Sequence, residues 1–166
     1  SLYQDRDSLS EDYTPDSIVG RDSEIQQYHT ALQPVINGEQ PNNIFLYGKT
    51  GVGKTAVTNY LLNQLRQDAS QFDVDLSVVS LNCEGLNSSY QIAINLVNRL
   101  RPPEAQISKT GHPQYEIYEF LWNDLDEIGG TVLIVLDEVD NIGDDDSILY
   151  QIPRARSNEN IENARV

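Results

Sequence analysis

The pattern of apolar and polar positions predicts strands and helices that alternate along most of the chain. Short, mostly apolar runs bounded by turn residues predict three buried strands, over residues 43–47, 74–81 and 131–136. Apolar residues spaced three and four apart predict helices over about 25–35, 53–66, 89–101 and 113–128, and a last helix from about residue 146. Such alternation is typical of an α/β fold with a mostly parallel sheet.

Polar residues and prolines mark where these helices begin. Ser88 followed by Gln91 fits a capping box, and Pro113 suits the first position of the next helix. Three consecutive aspartates, 144–146, fit a cap on the last helix, because acidic side chains interact favourably with a helix N-terminus. The apolar stripe of the fourth helix indicates core packing and comprises Tyr118, Leu121, Trp122 and Leu125.

Composition limits the classes of partner. The chain carries 11 Lys+Arg against 26 Asp+Glu, and this net charge of −15 argues against a basic surface for binding DNA or an anionic membrane. No apolar run approaches the roughly 20 residues of a membrane span, so we expect no membrane partner and a cytoplasmic location. Cys83 is expected to be a small packed residue, and His29 and His112 have no partners at metal-ligand spacing.

The chain is also poor in lysine and lacks methionine. In molar salt, carboxylates hold water and counterions, whereas long lysine stems add apolar surface that promotes aggregation. An organism with molar internal salt is therefore favoured over ordinary acidity. Because methionine is absent even at position 1, we expect the chain to be a fragment of a longer protein.

The strongest chemical signal is a glycine-rich sequence between a predicted strand and a predicted helix. It reads Gly48-Lys49-Thr50-Gly51-Val52-Gly53-Lys54-Thr55 and fits the phosphate-loop pattern G-x-x-x-x-G-K-[ST]. The glycines let backbone N–H groups point at phosphate oxygens, and the helix N-terminus adds partial positive charge. Lys54 is placed to reach the β- and γ-phosphates, and the Thr55 hydroxyl is placed to bind Mg²⁺.

A second signal is the pair Asp137-Glu138, directly after the most apolar predicted strand. Open α/β sheets bind ligands at the carboxyl ends of their strands. Asp137 would hold Mg²⁺ through its water shell, and Glu138 would orient and deprotonate the attacking water, so that Glu138 and Lys54 are the expected catalytic residues. Alone, two adjacent carboxylates indicate a solvated turn. Together with the phosphate loop, they indicate an Mg²⁺-dependent site for ATP or ADP.

Three stretches resemble AAA+ ATPases, namely Ile18-Val19-Gly20-Arg21-Asp22, Ile44-Phe45-Leu46-Tyr47 and Leu136-Asp137-Glu138-Val139-Asp140. More narrowly, residues 13–21, the loop followed by Ala56-Val57, and the stretch from Asp137 through Leu149-Tyr150 resemble archaeal replication initiators related to the origin recognition complex and the cell division control loader. The resemblance covers nearly the whole chain. It implies a P-loop NTPase (AAA+) three-layer α/β fold with a parallel sheet, incomplete at its C-terminal end. Residues 1–17 would form a flexible N-terminal arm, and 18–166 the N-terminal part of an ATP-binding domain, here of a haloarchaeal member.

The resemblance also implies where nucleotide and DNA bind. Ile18 and Val19 would lie beside the adenine and ribose, with ordinary helix-entry packing as the alternative. The phosphates would be contacted by residues of the loop and the start of its helix, namely Gly48, Thr50, Gly51, Val52, Gly53, Lys54, Thr55 and Ala56. A helical insertion that touches origin DNA would lie between Arg99 and His112. Its basic candidates, Arg99, Arg101 and Lys109, are explained equally well as solvated charges near a helix end.

The implied function is that of an origin-binding initiator in which the nucleotide acts as a switch. Origin DNA, the replicative helicase and other initiator subunits would be its partners. The alternative is an AAA+ ATPase that remodels a protein substrate, like a clamp loader or a chaperone. In the family, a fourth strand lies between strands one and three, and a lid and a winged-helix domain follow. We recognise none of these here and predict only strands one, two and three. We therefore expect this chain to be poorly stable alone, and to be a weak Mg²⁺-dependent ATPase only within a full-length protein.

Overall fold

The computed structural model describes residues 30, 33–37, 54–142 and 145–166, without the side chains of residues 54–58, 140 and 141. The predicted arm, the adenine segment, His29, the strand over 43–47 and the phosphate loop up to residue 53 lie outside the described residues. The chain divides into two compact units at the boundary between Asp75 and Leu76. In the first unit, residues 33–36 are helical and the N–H of Asn37 bonds to the carbonyl of Pro34 at 3.1 Å, near the predicted end of the first helix.

Helix α1, Lys54–Gln71, is longer than predicted. Its buried face continues because Leu61, Leu65 and Ala69 follow one another at a spacing of four. The helix ends where Asp73 adopts a left-handed φ of 56° and the N–H of Val74 bonds to the carbonyl of Ala69 at 2.8 Å. This is the Schellman ending that glycine usually provides. Val74 therefore belongs to the helix ending and not to the predicted strand.

The second unit contains a parallel three-stranded sheet in the order β1-β2-β3. Strand β1 is Leu76–Asn82, β2 is Gly130–Asp137 and β3 is Ala164–Arg165. Strand β1 pairs with β2 along its whole length, from Leu76 opposite Thr131 to Asn82 opposite Asp137. β3 pairs only with the first two residues of β2.

Strand β3 corrects the prediction that only strands one, two and three of the family's sheet are present. It lies on the side of β2 opposite β1, where the family order places the fourth strand. Two residues are too few to show an alternating pattern. The carboxylate of Asp126 fixes the backbone that leads into β3. It accepts N–H bonds from Glu162, Asn163 and Ala164, at 2.9, 2.6 and 3.2 Å.

Three further helices cover the second unit: α2 is Ser89–Leu100, α3 is Gln114–Ile128 and α4 is Ser147–Arg154. Pro113 lies just before α3 and is not its first helical residue. The predicted α3 stripe is confirmed, since all four of its residues are buried. Fully buried apolar side chains from these helices and β2 form the core, among them Ile92, Leu96, Val97, Ile117, Leu121, Leu125, Val132 and Ile148. None of the described helices is long and apolar enough to cross a membrane.

Two predicted caps differ in detail. The Ser88 side chain accepts a bond from the Gln91 N–H at 3.1 Å, as predicted, but the Gln91 side chain accepts the N–H of Asn87 in place of Ser88. Two of the three aspartates predicted to cap α4 are described, and of these only Asp146 is at the N-cap position. Asp146 holds the cap position with φ −109° and ψ 16°, outside the extended geometry of a cap, and makes no side-chain cap bond. Asp145 bonds to the start of α2.

Candidate functional site

The two predicted carboxylates lie at the carboxyl end of β2. Asp137 is the last residue of the strand and stands in register with Asn82, the last residue of β1. The carbonyl of Asp137 accepts a bond from the N–H of Cys83 at 2.7 Å, which continues the ladder past the paired residues. Asp137 therefore stands at the sheet edge where open α/β sheets bind ligands.

Glu138 follows the strand with a left-handed φ of 60°. A residue with a Cβ adopts this conformation at a cost of about 1–2 kcal/mol, so the surrounding structure has to hold it there. The left-handed residue ends the strand and leads into a short 3₁₀ helix, Val139–Ile142, whose last residue is buried in the core. Asp137 and Glu138 both remain partly exposed, which leaves them accessible to a ligand.

Cys83 lies beneath this edge as a packed, neutral thiol. Its side chain is fully buried in the core, which confirms its prediction as a small packed residue. Burial, with a smaller contribution from the nearby Asp137 carboxylate, raises its pKa to about 12. Since the thiolate is the reactive form, Cys83 is not a nucleophile at neutral pH.

Asn82 is a polar neighbour of Asp137 that the sequence reasoning missed. Its side-chain oxygen accepts the N–H of Glu84 at 2.8 Å, and its side chain is exposed. A polar residue that closes an otherwise mostly apolar strand was the signal that could have identified it. The amide thus lies at the same sheet edge as the carboxylates.

The phosphate-loop prediction reaches the described residues only at its last positions. Lys54, Thr55 and Ala56 form the first turn of α1 as predicted, without description of their side chains. No acidic residue occurs in that first turn. The partial positive charge of the helix N-terminus is therefore not offset by acidic side chains of its first turn.

No metal cluster occurs in the described part of the chain. Within it, no group of three or more His, Cys, Asp and Glu side chains could hold a metal ion. His112 instead contacts Ser108, with 3.0 Å from its Nε2 to the hydroxyl oxygen, and Glu116, with 3.6 Å from its Nδ1 to a carboxylate oxygen. His112 therefore helps to hold the loop in which it lies.

The predicted DNA-contacting segment is a loop fastened to α2 and α3. The side chain of Asn98 accepts the N–H of Ile107 at 2.8 Å and donates to its carbonyl at 3.1 Å. The Tyr90 hydroxyl donates to the carbonyl of His112 at 2.6 Å. The loop therefore has several fixed points and includes a 3₁₀ turn, Pro103–Ala105.

The three basic candidates in this segment differ in their contacts. Arg101 donates twice to the Asp124 carboxylate, at 2.8 and 3.3 Å, and its guanidinium lies 4.8 Å from the centroid of the Phe120 ring. Arg99 and Lys109 are exposed. Arg101 is thus engaged within the protein, and the exposed pair is the more accessible to a ligand.

Known proteins show the following similarities. The AAA domain family matches residues 37–165. The chain is 61% identical over 166 residues to ORC1-type DNA replication protein 11 of Haloarcula marismortui, covering 99% of this chain and 40% of the relative. It is 56% identical over 167 residues to ORC1-type DNA replication protein 10 of Halobacterium salinarum, covering 100% of this chain and 40% of the relative.

A solved structure is also similar. The Aeropyrum pernix ORC1 protein in complex with DNA matches with a TM-score of 0.67 and 32% sequence identity, covering 83% of this chain and 36% of that one. These similarities confirm the predicted fold class, and the haloarchaeal relatives agree with the acidic, lysine-poor composition. The chain spans about 40% of the length of these curated relatives.

Proposed function

We propose that this chain, which belongs to the AAA domain family, is the ATP-binding module of a DNA replication initiator. The observation that carries the proposal is the accessible Asp137-Glu138 pair at the carboxyl end of β2, in a chain similar along its length to ORC1-type DNA replication proteins. ATP or ADP would act as a switch for DNA binding and helicase loading. The names of the relatives favour this function over remodelling of a protein substrate.

The proposed nucleotide site combines residues of both sequence signals. Residues 48–56 would bind the phosphates, and Ile18 and Val19 would contact the base. The phosphate assignments rest on the loop pattern and on the described helical start of α1 at Lys54. The base contacts rest on the resemblance to archaeal replication initiators. We propose residues 18–166 as part of one ATP-binding domain, with 1–17 as an arm.

Mg²⁺ suits the proposed donor set. This ion keeps several waters and binds together with substrate phosphates, so the Thr55 hydroxyl would bind it directly and Asp137 would hold it through its water shell. When bound, Mg²⁺ neutralises phosphate charge.

Glu138 is the proposed general base. It would take a proton from water as the water oxygen bonds to the γ-phosphorus. The bond from that phosphorus to the bridging oxygen breaks, and ADP and phosphate leave. Lys54 would stabilise charge on the γ-phosphate. We propose slow hydrolysis within a longer protein and little or none by this chain alone.

Origin DNA would be bound mainly by parts of the protein other than this chain. Within the chain, Arg99 and Lys109 are better candidates for DNA contact than Arg101, whose guanidinium is paired with Asp124. The replicative helicase and other initiator subunits are the further proposed partners. Because archaeal chromosomes lie in the cytoplasm, we propose a cytoplasmic location.

The nucleotide proposal is tested by titrating labelled ATP with Mg²⁺ in molar KCl and in low salt. Lys54→Ala should weaken binding by about 2–3 kcal/mol, roughly 30- to 150-fold, because it removes a charged hydrogen-bond donor to two phosphates. Lys109→Ala is the matched control, since it removes an exposed lysine from outside the loop. Binding in molar KCl that only Lys54→Ala weakens supports the proposal. A folded chain, judged by circular dichroism, that binds no ATP in either buffer overturns it.

The proposed role in replication initiation has to be tested in a longer protein, because origin DNA would be bound mainly outside this chain. We suggest a chimaera in which this chain replaces the matching part of the Haloarcula marismortui relative. Fluorescence anisotropy would compare its affinity for that organism's origin DNA and for scrambled DNA, with ATP and with ADP. Origin preference that depends on the nucleotide, and that Lys54→Ala abolishes, is the expected result. Equal affinity for both DNAs in every condition would contradict an initiator.

A further inference from the structure

We propose that Asp145 is a positioning residue for Asp137 and Glu138, acting through Ser89 at the start of α2. The inference rests on the proposed function and adds to it a side chain that holds the carboxylate pair in place. The contact between Asp145 and Ser89 is called here the Ser89–Asp145 lock.

The lock consists of two hydrogen bonds between positions far apart in sequence. The backbone N–H of Ser89 donates to the Asp145 carboxylate at 3.2 Å. The Ser89 hydroxyl donates to the Asp145 carbonyl at 2.8 Å. The same hydroxyl oxygen accepts the N–H of Ile148 at 3.1 Å, so α2 and α4 are joined at their N-termini.

Burial makes these bonds hard to replace. Ser89 has no exposed surface, and water cannot readily satisfy the groups that it bonds. Asp145, in contrast, is exposed. Its side chain can therefore be changed without opening a cavity in the core.

The lock and a second fixed point bracket the segment that begins with Glu138. At one end, the carbonyl of Asp137 is bonded to the N–H of Cys83 at 2.7 Å. At the other end, Asp145 is bonded to Ser89. Both fixed points come from the same connection, residues 83–89 between β1 and α2. Residues at the two ends of this connection, Cys83 after β1 and Ser89 at the start of α2, thus hold the carboxylate segment on both sides.

Between the fixed points, contacts lead from Asp145 back to Glu138. The N–H of Asp145 bonds to the carbonyl of Ile142 at 3.0 Å, and the Ile142 side chain is buried. Ile142 ends the 3₁₀ helix that starts directly after Glu138. Loss of the Asp145 carboxylate would remove its bond to the Ser89 N–H and leave only the bond to the Asp145 carbonyl. Because the left-handed Glu138 is unfavourable by itself, this weaker lock should let the segment relax and displace the carboxylates.

The test compares Asp145→Ala with Asp126→Ala. Both changes remove an aspartate that accepts backbone N–H bonds, but Asp126 lies near the opposite end of β2. Amide ¹H–¹⁵N spectra of the chain in molar KCl, without nucleotide, should show shifted resonances for residues 137–142 in Asp145→Ala and unshifted ones in Asp126→Ala. Asp145→Asn retains an oxygen that can accept the Ser89 N–H and should stay close to the wild type.

A second readout on the same samples separates positioning from simple support of the fold. The Kd of ATP is measured in Mg²⁺ and in EDTA. Asp145→Ala should lose about tenfold of the Mg²⁺-dependent gain in affinity, the lower end of the range for loss of groups that orient a metal site, while the Kd in EDTA stays unchanged. Asp126→Ala should keep the full gain.

The results divide clearly. Unshifted resonances of residues 137–142 in Asp145→Ala, or equal shifts in Asp126→Ala, would overturn the lock. Shifted resonances with an unchanged Mg²⁺-dependent gain would overturn its role in positioning. If Asp145→Ala shows the expected shifts but the wild-type chain binds no ATP, the proposed function is overturned and the lock remains a structural contact.

Discussion

The two ends of β2 use one kind of contact for different purposes. Near the amino end, the Asp126 carboxylate accepts three backbone N–H bonds from residues 162–164 and thereby sets β3 beside Gly130. Near the carboxyl end, the Asp145 carboxylate accepts the N–H of Ser89 and holds the segment that begins with Glu138. In both places, an aspartate fixes backbone from a distant part of the chain.

The backbone that each aspartate holds differs between the ends. Near Asp126, the contact completes strand pairing, which stabilises the fold. Near Asp145, it holds a segment with a left-handed residue, Glu138, and two partly exposed carboxylates. Unfavourable local conformations concentrate at functional sites. We therefore propose that the amino end of the strand serves stability and the carboxyl end serves chemistry, and each of the following changes tests this proposal.

The largest effect is expected for Glu138→Gln in the chimaera described above. If Glu138 is the general base, as proposed, its loss should slow ATP hydrolysis about 1000-fold and leave the Kd of ATP nearly unchanged. Release of labelled phosphate in single-turnover conditions measures the rate. Asp126→Asn is the control at the other end of β2 and should keep the wild-type rate. Comparable losses of hydrolysis rate in the two variants would contradict the proposal that only the carboxyl end of β2 serves chemistry.

A smaller effect concerns the thiol beneath the carboxylates. Because the pKa of Cys83 is raised to about 12 by burial and then by Asp137, iodoacetamide at pH 8 should react at least about 100-fold more slowly with the folded chain than with the urea-unfolded chain. The double variant Cys83→Ala, Ser80→Cys, with its thiol at an exposed strand position, should react rapidly when folded. Fast alkylation of native Cys83 would show that the thiol under the carboxyl end of β2 is accessible to solvent and reagent.

The same pKa shift gives a direction for stability against pH. A thiol whose pKa is higher in the folded than in the unfolded state contributes fully to the stability of the fold below its unfolded pKa of about 8.5. This stabilisation is lost as the pH rises toward 12. Urea denaturation between pH 7 and pH 10 should therefore show a loss of stability in the wild type that is smaller in Cys83→Ala. Equal losses would contradict the buried neutral thiol.

Next in size is the contribution of Asp126 to stability. Asp126→Ala should lower the free energy of unfolding by about 1–2 kcal/mol, because three backbone donors at the start of β3 lose their acceptor. Urea denaturation in molar KCl measures the change. Glu127→Ala, an exposed neighbour on the same helix, should stay within about 0.5 kcal/mol of the wild type. An unchanged free energy of unfolding in Asp126→Ala would contradict a stabilising role for the contacts at the amino end of β2.

Acid should reproduce part of this loss. Burial raises the pKa of Asp126, but the bonds from residues 162–164 and the charge of Arg156 outweigh burial and lower the pKa overall. Its contribution is therefore present above the unfolded pKa of about 3.9 and is lost as the pH falls through the lower folded value. The stability difference between the wild type and Asp126→Ala should shrink over that range, as measured by urea denaturation.

The sequence predicted those helices and strands whose apolar residues recur at a regular spacing. The apolar spacing located α2 and α3 to within one residue at each end, since both helices bury a continuous stripe. The apolar run before Asp137 likewise indicated β2 and the place of the carboxylates. Apolar periodicity indicates that an element buries one face, and each of these elements packs one face against the core.

The features that the sequence did not reveal depend on single residues or distant contacts. Asp73 ends α1 in a left-handed conformation usually supplied by glycine, and Glu138 adopts one beside the site. The bonds from Ser89 to Asp145 and from Asp126 to the approach of β3 join positions that share no local pattern. Such contacts exist only once the fold has formed, so no spacing rule could predict them.

The smallest effect is expected for Tyr118→Phe in α3, between the two ends of β2. The Tyr118 hydroxyl is buried without a partner in hydrogen-bond geometry in the described structure, and its ring stacks on Trp122 with centroids 5.7 Å apart. Removing the hydroxyl should change the free energy of unfolding by less than about 0.5 kcal/mol, whereas Tyr118→Leu should lose about 1 kcal/mol or more with the stacking. Urea denaturation measures both variants. The side chains of Ser147, Gln114 and Ser89 lie near this hydroxyl. A loss above about 1 kcal/mol in Tyr118→Phe would therefore show that the hydroxyl bonds to one of these side chains.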